Sequence, residues 1–378
     1  MGLKIGLLKE SAENETRVAL VPGVLEKFRA LDASINMQSG AGHGAIIPDS
    51  LYKGAKIFPD ASNILSDCDV LLKVQPPTIS EIEALKPGAI VIGFMQAYKQ
   101  QKLIRAMSQQ NITSFAVEFI PRISRAQSMD ALSSQAAVAG YKAVLIAANE
   151  QNKFVPMLTT AAGTIRPSKY LVIGAGVAGL QAIATSKRLG AIIEAFDVRG
   201  ATREQVESLG ANFIDTGISA EGEGGYAREL TNEEKLAQQE ILDKHIIEAN
   251  VVITTAAVPG KPAPRIISRA TVEAMQAGSI IIDLGAESGG NCELTEAGKT
   301  ILHKNVKIIG PINLPATLPK DASDMYSRNL LNFIQPAIID GEINIDWEDE
   351  VFSSAVLTHG GKIIHKETLD TMQSGDQK

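Results

Sequence analysis

Cysteine is scarce in this sequence. Of 378 residues two are cysteine, Cys68 and Cys292, too few for a disulfide framework, so a reducing compartment is expected. Neither has a partner at metal-ligand spacing, and the five histidines are scattered, so no metal is expected. A basic excess is lacking as well. The net charge is −7, which argues against nucleic acid as a partner. No apolar run reaches the ~20 residues that a spanning helix needs. The longest weakly charged stretch, 131–148, is broken by Ser133, Ser134, Gln135 and Lys142 and reads as a buried helix. The N-terminus carries Lys4, Lys9 and Glu10 in place of an apolar signal core. Gly6 stands where the myristoylation pattern needs Ser or Thr. The expectation is a soluble chain with no direct membrane insertion.

What is present is the composition of a globular protein, 45% hydrophobic and 21% charged, with length enough for two α/β domains. In the middle of the chain short Val- and Ile-rich runs alternate with helical stretches. A strand at 170–173 (YLVI) precedes Gly174, and a helix over 180–189 is closed by Gly190. Further strands are expected at 192–196, 212–214, 251–255, 279–283 and 306–309, with a helix over 202–209. Such runs suit strands buried on both faces, and crossover helices between them imply a parallel, doubly wound sheet.

The first ~130 residues repeat that grammar, with strands expected at 4–8, 34–38, 70–74, 90–94 and 113–116. They lack a G-x-G-x-x-G; Gly40-Ala41-Gly42-His43-Gly44 reads as a plain turn. From about 316 a helix over 323–334 leads to a polar end. The fold expected is α/β, two Rossmann-like domains with parallel doubly wound sheets, the second inserted into the first. Residues 1–133 plus 316–378 form the discontinuous domain, and 134–315 the inserted Rossmann domain.

The chemistry sits on Gly174-Ala175-Gly176-Val177-Ala178-Gly179. The first glycine permits a tight turn out of a strand, the second lets the backbone approach a pyrophosphate, and the third lets the helix pack close to the sheet. Amides at the helix start then hold phosphates. A bare G-x-G-x-x-G is weak. Here a strand precedes it, a helix follows, and Asp197 ends the next strand about 20 residues on, where a carboxylate accepts from adenosine ribose hydroxyls and repels a 2′-phosphate. NAD(H) is therefore expected over NADP(H), although Arg199 lies close enough to serve a 2′-phosphate. The segment 216–225 (TGISAEGEGG), followed by Tyr226, has two readings: a surface loop, or a lid whose tyrosine stacks on a ligand.

Several stretches together are similar to the NAD(H)-binding component of proton-translocating nicotinamide nucleotide transhydrogenases. They are PRISRAQSMD at 121–130, the glycine motif, Gly225-Tyr226-Ala227, TTAAVPGKPAP at 254–264 and Gly289-Gly290-Asn291-Cys292. The resemblance implies that Arg122, Ile123, Ser124, Gln127, Ser128, Met129 and Asp130 hold the nicotinamide and its ribose, with Ser133 beside them. Arg122, Gln127, Asp130 and Ser133 then serve the transfer step. Gly174, Ala175, Gly176, Val177 and Gly179 take the phosphates, and Asp197, Val198 and Arg199 the adenosine. Gly225 and Tyr226 form the tip of a mobile lid, and Gln238 and Ala257 line the cleft. From the residues alone, Arg122 also reads as a surface ion-pair partner and Asp130 as a helix cap.

Alanine dehydrogenases share the ancestry that this resemblance implies. They grip a substrate carboxylate and carbonyl at the positions of Arg17 and Lys73, and they need a proton shuttle, because amine oxidation moves protons. Where they carry histidine this chain has Gln96, which cannot titrate; their aspartate corresponds to Glu287. Hydride exchange between two nicotinamides needs no such group, only close placement and exclusion of water. The resemblance further implies NADP(H) on a partner subunit, a membrane-spanning partner, a homodimer, and residence on the cytoplasmic face of the bacterial inner membrane.

Overall fold

The computed structural model describes residues 2–217, 231–256 and 260–375. Two compact units emerge, one from residues 1–135 with 315–378 and the other from 136–314. The first unit opens with strands β1 (Lys4–Leu7), β2 (Ser34–Gln38), β3 (Lys56–Phe58), β4 (Val70–Leu72), β5 (Ile90–Gly93) and β6 (Thr113–Ala116). The second carries β7 (Leu158–Thr160), β8 (Gly163–Ile165), β9 (Lys169–Ile173), β10 (Ile192–Phe196), β11 (Asn212–Phe213), β12 (Val251–Thr254), β13 (Ile280–Asp283), β14 (Thr300–His303) and β15 (Val306–Ile309). The chain then returns to the first unit with β16 (Ile338–Ile339), β17 (Glu342–Ile343), β18 (Val356–His359) and β19 (Lys362–Ile363).

Both main sheets are doubly wound. The first runs β19-β18-β6-β5-β4-β1-β2-β3, parallel from β6 to β3, with β18 antiparallel on β6. The second runs β11-β10-β9-β12-β13-β15-β14, parallel except for β14. Alternate residues of each central strand feed opposite faces, as the two-residue period requires. Tyr170 and Val172 of β9 enter one core with Val251, Ile253, Ile280 and Ile282. Leu171 and Ile173 enter another with Val252 and Ile281. The first sheet is likewise covered on both sides, Val70 and Leu72 on one face and Leu71 on the other. That double burial is why these strands read as unbroken apolar runs.

The expected strands at 4–8, 70–74 and 251–255 end earlier, at Leu7, Leu72 and Thr254. Leu8 and Val74 are still fully buried, so hydrophobicity prolonged the pattern past the point where the backbone leaves the ladder. The helix foreseen at 131–148 spans Ala131–Glu150 and is only partly buried: Val138, Ala143, Val144 and Ala147 are covered and Tyr141 is exposed. Among the described residues it is the one helix long and apolar enough to cross a membrane by length and hydropathy, a test that core helices also pass. Within the second unit a β-carbon on its Gly140 would fall 2.1 Å from the carbonyl oxygen of Ala178. Only glycine lets that helix lie so close to the helix Val177–Arg188.

Candidate functional site

In the second unit the strand order reverses between β9, which has β10 and β11 on one side, and β12, which has β13 on the other. The crevice outside the carboxyl ends of two such strands is where open α/β sheets take ligands. β9 runs directly into the glycine motif there. Gly174 has φ +97°, and a β-carbon on it would meet Thr255 Oγ1 at 2.5 Å. One on Gly179 would lie 1.8 Å from the Gly174 carbonyl oxygen, an impossible overlap. Gly176 differs: a β-carbon there would meet nothing within 4 Å. It caps the helix Val177–Arg188 without a side-chain hydrogen bond, so the first amides of that helix are left to a ligand. Thr255, which the stretch at 254–264 contains but to which motif reading gave no role, braces the turn by donating to Gly174 O at 3.0 Å. Its place just after β12 was the available signal.

Asp197 stands at the end of β10, buried. It accepts from the Ala175 amide at 2.7 Å and from the backbone amide, Nε and Nη2 of Arg199, each at 2.9 Å. Burial pushes its carboxyl upward, but the Arg199 guanidinium and the two amides outweigh that and hold it below its usual value. The Asp197–Ala175 bond also ties the end of β10 to the glycine turn. Val198 and Arg199 are exposed, and Gln238 is half-buried on the helix Asn232–Glu248. Gly225, Tyr226 and Ala257 lie outside the described residues.

In the first unit the segment matching the nicotinamide-loop motif forms a short 3₁₀ helix, Ser124–Met129. Its three-residue period buries Ala126 and Met129 and leaves Arg122, Ser124, Gln127 and Ser128 exposed, with Ile123 packed against the core. The surface ion pair falls on Arg125, which forks onto Asp349. Asp130 is half-buried and accepts from the Ser133 amide at 2.8 Å and the Ser133 hydroxyl at 2.6 Å, so it caps the helix that follows. Gln96, exposed with φ +47°, donates its amide to Gln75 Oε1 at 2.9 Å, and its backbone amide donates to Glu118. Arg17 and Lys73 are buried among Glu10, Glu15 and Glu81. In the second unit, Glu287 is exposed and accepts from the Asn313 amide. Among the described residues no group of three His, Cys, Asp or Glu side chains is gathered to hold a metal ion.

The profile "Alanine dehydrogenase/PNT, N-terminal domain" matches residues 6–139, and "Alanine dehydrogenase/PNT, C-terminal domain" matches 143–366. The chain is 44% identical over 376 residues to the first of the parts that make up NAD(P) transhydrogenase subunit alpha of Rhodospirillum rubrum, covering 96% of this chain and 98% of that one. Among solved structures, the transhydrogenase from Sinorhizobium meliloti superposes with a TM-score of 0.85 at 40% identity, covering 96% of this chain and 99% of that one. An L-alanine dehydrogenase shares the fold, with a TM-score of 0.80 at 20% identity over 98% of this chain and 99% of that one.

The lowered pKa of Asp197 has a defined consequence for stability. A carboxylate whose folded pKa lies below its unfolded value stabilises the fold above the unfolded pKa, and that contribution is lost as pH falls through the folded one. Asp197→Asn should lower the melting temperature at neutral pH, with loss of charge-assisted bonds worth about 1.5–3 kcal/mol. The gap from the unmutated protein should then close below about pH 4. Thermal melts across that range check it; a gap of constant size in acid would contradict the assignment.

Proposed function

The chain belongs to the alanine dehydrogenase/PNT family, and from that premise we propose that it is the NAD(H)-holding component of a proton-translocating transhydrogenase. The observation that carries this reading is Gln96. A polar but non-titrating amide stands where alanine oxidation needs a proton shuttle, and its side chain is bonded to another amide, Gln75. The cradle at β9 fits a dinucleotide, being closed to β-carbons at Gly174 and Gly179 and open in front of Gly176. The amides at the start of the helix Val177–Arg188 would hold the pyrophosphate, and Asp197 the adenosine ribose. Arg122, Gln127, Asp130 and Ser133 would hold the nicotinamide end. When bound, the nicotinamide supplies the hydride; the residues of this chain bind, orient and exclude water.

The relative's designation as one portion of one subunit supports a complex, in which NADP(H) and the membrane-spanning helices belong to partners. These would hold the chain at the cytoplasmic face of the bacterial inner membrane. A homodimer is supported by the hairpin β7–β8, a two-stranded sheet that among the described residues pairs with no other strand. Such hairpins are marginal alone. This one is exposed along most of its length, with Met157 63% and Ile165 41% exposed at its base.

Because Asp197 would meet the ribose hydroxyls, NADH should bind at least tenfold tighter than NADPH, about 1.4 kcal/mol. Asp197→Ala should narrow the gap by weakening NADH. Equal affinities in calorimetry would remove NAD(H) as the resident nucleotide. The function itself is tested in two cuvettes following NADH oxidation. One holds pyruvate and ammonium, the other the NADP(H)-binding domain of a transhydrogenase with an NADP analogue. Turnover is expected only in the second, and there Gln127→Asn should slow it on the order of a hundredfold with little change in NADH affinity. Partner-free turnover of pyruvate would make the chain an amino-acid dehydrogenase. For the dimer, Met157→Asp with Ile165→Asp should convert the sedimenting species to monomer; a dimer that survives both changes would place its interface elsewhere.

A further inference from the structure

Two buried cations, Arg17 and Lys73, have no role in the reading above. Lys73 lies 3.4 Å from both Glu10 and Glu81. Arg17 points the other way. Its Nε and Nη2 donate to the two oxygens of Glu15, at 2.8 and 2.6 Å, and its Nη1 donates to Gln135 Oε1 at 2.9 Å. Gln135, itself buried, donates through Nε2 to Ser134 Oγ at 3.2 Å and to Ala322 O at 3.1 Å. Ser134 Oγ donates to Asn329 Oδ1 at 2.7 Å. Asn329, buried on the helix Pro319–Ile334, donates to the Ser128 carbonyl at 2.9 Å. That carbonyl belongs to the 3₁₀ helix that carries Gln127.

Both ends of this chain have a fixed direction. A guanidinium can only donate and a backbone carbonyl can only accept. With Arg17 at the head, Gln135 must present its oxygen to it and its NH₂ to Ser134. The serine proton has two acceptors in reach, Asn329 Oδ1 at 2.7 Å and Ala131 O at 3.1 Å, and the shorter bond takes it to Asn329, whose NH₂ faces Ser128. An acceptor-only head would turn each amide around and leave two oxygens facing each other at Ser128. The 3₁₀ helix needs such a brace. It is a single short stretch with its polar side chains in solvent and two residues, Ala126 and Met129, buried. Placement of a functional side chain has to hold within ~0.5 Å. Asn332 adds a second donor to the same carbonyl, at 3.1 Å.

We propose that Arg17, Gln135, Ser134 and Asn329 form a directional relay that positions the Ser124–Met129 turn, with Asn329 as the positioning residue for Gln127. The proposal rests on the reading that this turn holds the nicotinamide.

Asn329→Asp is the sharpest test, since it keeps shape and the acceptor for Ser134 but replaces the donor to Ser128 with a carboxylate oxygen. Three measurements are made on the full chain: hydride-transfer rate with the NADP(H)-binding domain of a transhydrogenase, NADH dissociation constant, and amide hydrogen exchange. The rate should fall tenfold or more while the dissociation constant moves less than twofold. Exchange should quicken over residues 122–130 and stay unchanged in β1 and β4. Ser134→Ala, which breaks the relay one link earlier, should give the same pattern at smaller size, and Asn332→Ala, which removes the longer bond to the Ser128 carbonyl, should slow the rate less than Asn329→Asp does. Unchanged rate and exchange in Asn329→Asp would overturn the relay. So would faster exchange throughout the first sheet, which marks a residue that merely holds the unit together. Should Asn329→Asp not fold, Ser134→Ala decides the question by the same measurements. If the unmutated chain fails to turn over with the partner domain, the functional reading falls, and the exchange pattern alone decides whether the relay holds the turn.

Discussion

At the end of β9 the chain must leave the sheet and begin a helix almost at once, and the space for doing so is set by missing β-carbons. Gly179 packs against the Gly174 carbonyl so closely that a methyl group would overlap it at 1.8 Å. This contact fixes the height of the helix Val177–Arg188 over the sheet, which in turn fixes where its unpaired amides point. Other elements depend on the same fit. Thr255 braces the turn from β12, Asp197 ties it to β10, and Gly140 lets a second helix lie against the first at Ala178. The placement of the amides at the helix start is therefore a consequence of packing, and the glycines serve it by being absent side chains.

The two units share a strand order, and their crevices have opposite fillings. In the second, β9 delivers glycines and leaves the switch point open in front of Gly176. In the first, the strand at the same topological place, β1, delivers Leu8, Lys9 and Glu10. There the Glu10 carboxylate accepts from the Val74 amide at 2.6 Å and sits beside Lys73. Burial pushes the Glu10 carboxyl up and Lys73 opposes that push. The Val74 and Gln75 amides of that crevice are already taken by the Glu10 carboxylate. One topology thus yields one open, glycine-lined crevice and one polar core, and the difference lies in the few residues after a single strand.

Much of this was legible in the sequence, for physical reasons that also mark the limit. The runs around 170–173, 251–254 and 280–283 are apolar on both faces because their sheet is covered on both faces. Gly174, Gly176, Gly179 and Asp197 stand at spacings that a βαβ turn imposes locally. What escaped depends on partners far apart in the chain. β18 joins β6 across some 240 residues through Val356 and Phe115, and it is too short and too mixed with Thr and His to announce itself. Thr255 looked like the end of a strand. Asp130 was legible as a cap and as a motif residue, and both follow from one carboxylate at the start of a helix. The relay ending at Ser128 draws on residues 17, 134–135 and 329, and no local pattern links those positions.

The arrangement at Asp197 bears on nucleotide choice through the same geometry. Its carboxylate already receives two backbone amides, from Ala175 and Arg199, and two bonds from the Arg199 side chain. The amide bonds are part of the fold. The guanidinium bonds come from a side chain that is 54% exposed, and hydroxyl donors on a ribose are suited to replace them. A 2′-phosphate is an acceptor only and would bring its charge against a carboxylate that the amides keep ionised. Arg199, a neighbouring cation that could offset that repulsion, is forked onto the same carboxylate. The fold thus sets a donor-seeking group at the end of β10 and holds its neighbouring cation in place, and a nucleotide bound there would meet a carboxylate suited to accept from free ribose hydroxyls.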